Sequence, residues 1–193
     1  SILKIVAGIF GNSSAIIADG VHSASDIITS VGVRIGNKIS SKPRDEIHQY
    51  GHEKAESLVS FILSSVLILV AIEIGYEGVK ELVNYNSLGV PSILPLIVAV
   101  ISIVIKEYQY QITIRVAKRN NSSVLKADAW HHRSDAFSSI AAFVGIGGAM
   151  LGFKILDPIA SIIVAIVVVK VGANILKSAC NELMDSSISK QDI

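Results

Sequence analysis

The sequence predicts an all-α protein whose solvent is a lipid bilayer, a polytopic membrane bundle of six transmembrane helices with the first only partly present. Composition is the first reason. Of 193 residues, 51% are hydrophobic and 17% charged, against roughly 25% charge in an average soluble domain, and mean hydropathy is +0.57. So much apolar side chain excludes a disordered chain and outruns what a soluble fold of this size can cover. Segment length is the second reason: the apolar residues gather into runs near the 20 or so that a spanning helix needs. An outer-membrane barrel is disfavoured by 6% aromatic content and by the lack of repeated alternation over about ten residues.

The segments follow in order. Residues 2–10 are apolar but too short to span, and the chain starts with Ser rather than Met, so the rest of a first helix is expected upstream. No small-residue cleavage pattern marks it as a signal peptide. The second helix is expected over 13–39, interrupted by Asp19, His22 and Asp26, and the third over 55–83. Gly89-Val90-Pro91 punctuates the next turn, with Pro91 placed in the first turn of a fourth helix over 91–118. The polar stretch KRNNSS supplies capping residues for a fifth helix over 122–151. Gly152 closes that helix, and Asp157-Pro158 opens a sixth over 157–184.

Basic residues set the expected orientation. Arg34, Lys38, Lys42, Arg44 and Lys54 surround the connection after the second helix, and Arg115, Lys118, Arg119 and Lys126 the connection between the fourth and fifth. The opposite turns hold only Lys80 and Lys154. Both basic connections and the C-terminus are therefore expected in the cytoplasm, in the inner membrane if the cell is prokaryotic. The formal net charge of +1 gives no basic field for nucleic acid, and the single cysteine, Cys180, excludes an intrachain disulfide and a CxxC metal site. Gly32-x-x-x-Gly36 and Gly148-x-x-x-Gly152 suit close helix packing within one bundle.

All five histidines fall in three short stretches, and two of those stretches repeat each other. Residues 18–26 read ADGVHSASD and residues 127–135 read ADAWHHRSD, both obeying Asp-x-x-His-x-x-x-Asp. Steps of three and four keep Asp19, His22 and Asp26 on one helix face, and Asp128, His131 and Asp135 on another. A charged group at membrane depth costs roughly 2.5–3.5 kcal/mol even on a lenient scale, so these stripes are expected to face each other or water. His22, Asp26, His131 and Asp135 offer two imidazoles and two carboxylates, a set that closes a tetrahedral Zn²⁺ site. The bland alternative is a pair of polar ties between buried helices. Asp19 and Asp128 flank the centre on opposite sides, either as staging ligands or as partners that orient the histidines. His132 points away from His131, Arg133 is expected in a salt bridge, and Trp130 in packing. Glu73, alone in the apolar run of the third helix, needs a partner or a cavity. Asp45, His48 and His52, in PRDEIHQYGHEKAES, repeat the same spacing. They suit a weaker second metal site or a plain solvated loop.

With HSASD in the second helix, HHRSD in the fifth and HQYGHEKAES in the first loop, the chain resembles the cation diffusion facilitator family over nearly its whole length. That resemblance implies a homodimeric transporter, not an enzyme, moving divalent metal out of the cytoplasm in exchange for protons by alternating access. It carries the transport ligands over to His22, Asp26, His131 and Asp135, and the loop site to Asp45, His48 and His52. It also implies a cytoplasmic metal-binding domain beyond Ile193, absent from this chain. Zn²⁺ is the expected cargo, with Fe²⁺ suggested by the HHRSD context. Co²⁺, Mn²⁺ and Cd²⁺ fit the same donors. A passive metal channel is the nearer rival, separable by its far faster flux. A membrane zinc hydrolase is the remoter one, since HExxH is missing and four protein ligands leave no open position.

Overall fold

The structure is a computed structural model that describes residues 1–41, 43, 51–52, 54–84, 89–120 and 123–184. Among these residues the chain forms six helices and no strand: α1 (Ile2–Gly11), α2 (Ser14–Ser40), α3 (Ala55–Val83), α4 (Ile93–Arg119), α5 (Ser123–Met150) and α6 (Leu156–Leu183). The all-α membrane class is borne out. By length and composition α3, α4 and α6 can each cross a membrane. Their surfaces are apolar where they are most open: Leu69 is 68% exposed, Val104 62% and Ile166 63%. In water such a surface would aggregate, whereas lipid is a suitable solvent for it. α2 and α5 have comparable lengths of 27 and 28 residues but carry the two polar stripes.

The helix ends show local chemistry. Asn12 closes α1 in the left-handed region at φ 54°, and the Ser13 amide returns to the Gly8 carbonyl at 3.0 Å. Gly152 does the same for α5 at φ 107°. The Phe153 amide reaches the Gly148 carbonyl and the Gly152 amide reaches that of Ala149, the paired bonds of a glycine-terminated helix. The start of α2 is capped from a distance. Asp157, in the first turn of α6, accepts from Ser13 Oγ at 2.6 Å and from the Ser14 and Ala15 amides at 2.8 and 3.3 Å. A carboxylate there satisfies otherwise orphaned donors and meets the positive end of the helix dipole. Pro91 departs from expectation: it lies outside α4, which begins at Ile93 after Ser92. The Ser92 amide is tied instead to the Gly11 carbonyl at the end of α1, at 2.9 Å.

The chain divides into two compact units. The first comprises Ser1–Ser23 and Glu73–Ile166, the second Ala24–Ile72 and Val167–Ile193. The core of the first is built mostly from alanine, with Ala15, Ala99, Ala142 and Ala160 around Ile16 and Ile146. Small side chains let backbones approach where lipid supplies no hydrophobic drive between helices. In the second unit Gly32 and Gly36 of α2 lie against α3: a Cβ on Gly32 would overlap Leu63, and one on Gly36 would come within 2.7 Å of the Glu56 Cα. This Gly-x-x-x-Gly pair thus packs within the chain. Gly36→Leu is expected to cost about 1–3 kcal/mol by overpacking, read as a lower midpoint in detergent-solubilised thermal unfolding. Lys54 Nζ, at 3.0 Å from the Leu183 carbonyl, closes the end of α6.

Candidate metal centre

α2 and α5 place their histidine–aspartate stripes on helix faces because steps of three and four recur on one side of a helix. His22 (5% exposed) and Asp135 (3%) are both buried, and His22 Nε2 lies 3.7 Å from Asp135 Oδ1. Two donors sharing one tetrahedral metal at about 2.0–2.1 Å sit about 3.3 Å apart, so a small inward shift lets one ion bridge the pair. His131, one turn before Asp135, holds Nδ1 at 3.9 Å from the same oxygen, but its side chain is 53% exposed. Asp26 follows His22 by one turn of α2 and is half-buried. The structure thus brings His22 and Asp135 together, leaving His131 at the open edge.

A cation that sequence reasoning missed already occupies Asp135. Lys106 Nζ, from α4, lies 2.6 Å from Asp135 Oδ2, and the lysine side chain is only 19% exposed. A second missed lysine performs the same service for Asp19. Lys4 Nζ of α1 lies 2.9 Å from Asp19 Oδ2 and donates to Ser23 and Ser139 at 2.9 and 3.1 Å. Ser138 donates to Asp19 Oδ1 at 2.8 Å. Asp19 is thus held by an ion pair at one oxygen and a hydroxyl donor at the other. Both lysines interrupt apolar helices as Glu73 does, and that was the available signal: a lone charge at membrane depth marks a partner.

The remaining candidates divide. Asp128 is open to solvent, 53% exposed, and lies 3.8 Å from His132 Nε2. Arg133 makes a different contact from the salt bridge expected. It donates to Tyr110 Oη at 3.1 Å, with its guanidinium 4.8 Å from the Tyr110 ring centre and 5.5 Å from that of Trp130. Trp130, 57% exposed, therefore serves a cation–π contact rather than a packed core. In the first loop Asp45 and His48 lie outside the described residues, and His52 is half-buried.

Three apolar helices of spanning length define a multi-pass integral membrane protein, and it holds a buried imidazole–carboxylate pair with a lysine beside it. The chain belongs to the cation efflux family, whose transmembrane domain matches residues 1–184. This is a family of transporters rather than enzymes. The chain is 44% identical to an uncharacterized transporter of Methanocaldococcus jannaschii, over 90% of this chain and 61% of that protein. It is 35% identical to the manganese efflux system protein MneP of Bacillus subtilis, over 97% of this chain and 65% of the relative. Identity to metal tolerance protein C1 of Arabidopsis thaliana is also 35%, over the whole chain and 44% of the relative. The chain thus spans about half to two-thirds of the length of these relatives.

Proposed function

We propose that this chain is the translocating part of a divalent metal exporter that carries Zn²⁺, and also Fe²⁺, out of the cytoplasm in exchange for protons. The observation that carries this reading is the His22–Asp135 approach between α2 and α5, 3.7 Å apart and buried. Asp26 and His131, each one helical turn from a member of that pair, complete a two-histidine, two-carboxylate set. Alternating access follows from such a centre when rearranging helices open it to one side of the membrane at a time. The exporter is proposed to work as a homodimer with its basic connections toward the cytoplasm. Asp45, His48 and His52 are proposed as a weaker cytoplasmic site, and Asp128 as a carboxylate at the entrance.

Charge arithmetic gives Lys106 a role. A divalent ion on two carboxylates is neutral, so an ammonium still touching Asp135 would leave a net positive charge in a dry site. Lys106 therefore stands in for the cargo when the centre is empty and withdraws as metal arrives. A buried carboxylate stripped of every cation would be costly, and this tethered one avoids that in the empty, returning carrier. Lys106→Gln is expected to lower KM for metal about tenfold, the effect of roughly 1.4 kcal/mol, and to slow turnover because the empty state loses its counter-ion. An unchanged or raised KM would remove the competition.

Protons compete with metal because imidazole must be neutral to ligate. Lower pH on the loading side should therefore raise KM. Two imidazoles among the donors favour Zn²⁺ over Mn²⁺ in the general affinity series, while the MneP relative is named for manganese. The deciding experiment is metal competition in proteoliposomes under an imposed pH gradient. Zn²⁺ uptake should collapse the gradient and be blocked by excess Fe²⁺. Uptake indifferent to the gradient removes antiport, and Mn²⁺ outcompeting Zn²⁺ changes the cargo.

A further inference from the structure

Glu73 remains unexplained by the centre. It sits within the apolar span of α3, and among the described residues no ion pair or hydrogen bond engages it. Glu73 is exposed, and it borders an open cavity of about 440 Å³ within the first unit, bounded by α1, the start of α2, α3 and α6. Glu77 and Glu81 line the same cavity, since steps of four repeat on one helix face. Glu81 accepts from Ser14 Oγ at 2.8 Å, and Glu77 is held by Lys80 at 2.9 Å in a solvent-screened, exposed pair. A cation can displace that pair at little cost.

An acidic row by itself is not a site, but α6 adds an independent feature. Ser161 is fully buried, its hydroxyl has no hydrogen-bond partner among the described residues, and it lines this same cavity. A buried hydroxyl without a partner is destabilising, a cost that a ligand or its water shell removes. Asp157 is not part of this cluster's spare capacity, because its oxygens are committed to the start of α2.

We propose that this cavity is a second cation site, anchored by Glu73 and completed by Glu77, Glu81, Ser161 and water. Every donor is oxygen, with no imidazole or thiolate, so it takes a hydrated hard divalent ion of the Mg²⁺, Ca²⁺ or Mn²⁺ type, weakly and with several waters retained. Ser14, at its rim, precedes His22 by eight residues on α2, about 12 Å along the axis. Its service as a staging post for cargo rests on the transport reading, whereas binding of the ion does not.

The test is a Mn²⁺ titration of the full chain in lipid nanodiscs, with free Mn²⁺ read by electron paramagnetic resonance. Glu73→Gln should lose one weak Mn²⁺ equivalent, and His22→Ala should keep it while losing a tighter one. Millimolar Mg²⁺ should compete only for the weak equivalent. A Glu73→Gln isotherm identical to the parent's overturns the site. Should Glu73→Gln fail to fold, Glu73→Asp retains the charge on a shorter arm and should weaken the same equivalent at least fivefold, with parent-like binding overturning the proposal. If His22→Ala leaves the tight equivalent intact while Glu73→Gln removes the weak one, the transport centre fails and this site stands.

Discussion

Asp135→Ala should abolish Zn²⁺ uptake into everted vesicles, lowering the rate by two orders of magnitude or more. Asp135 is buried between His22 Nε2 at 3.7 Å and Lys106 Nζ at 2.6 Å, so the substitution deletes a proposed ligand and strands an ammonium at once. Even outer-shell partners of a metal are worth 10–100-fold, and a carboxylate proposed to bind the ion directly should exceed that. The two losses separate by design. Asp135→Ala combined with Lys106→Met removes the stranded charge, so it should recover thermal stability while leaving uptake abolished. Asp26→Ala, on the α2 stripe, should abolish uptake without stranding Lys106. The helical circular dichroism and elution volume of each variant should match the parent. Normal uptake by either Asp26→Ala or Asp135→Ala would overturn the centre.

The sequence made legible what periodicity encodes and little of what long-range pairing decides. Helix lengths and the polar stripes on α2 and α5 follow from apolar run length and from steps of three and four. Lys4 and Lys106 were not. A lysine in an apolar helix usually draws its charge toward the membrane edge, and nothing local shows that Asp19 or Asp135 will meet it across the bundle. The short first segment read as a mere fragment, yet its Lys4 holds Asp19. Arg133 follows the same logic in reverse. A charge at membrane depth calls for a salt bridge, but α4 brings Tyr110 beneath it. The exposure of His131 was equally hidden, since it depends on which side of α5 the other helices leave open.

Lys4→Ala should destabilise the protein by about 3–5 kcal/mol, the usual cost of removing one partner of a buried ion pair and leaving the other uncompensated. At 2–4 °C per kcal/mol for a chain of this size, the melting temperature should fall by roughly 10 °C. The Lys4–Asp19 pair is 2.9 Å long, with side chains 6% and 0% exposed, so water cannot screen the orphaned carboxylate. Asp19→Asn should be costly as well, because it leaves the buried Lys4 ammonium with only the Ser23 and Ser139 hydroxyls and no counter-charge. Lys4→Met with Asp19→Asn should recover most of the loss, since no unpaired charge remains. The same double variant decides between the two roles open to Asp19. As a structural tie, Asp19 can be replaced in this way with KM for metal unchanged per folded molecule. As a staging ligand, its loss must raise KM even where stability has been restored, because the ion would then shed hydration without a carboxylate to meet it. The commitment of both Asp19 oxygens, one to Lys4 and one to Ser138, favours the first outcome, and a severalfold rise in KM would reverse that assignment.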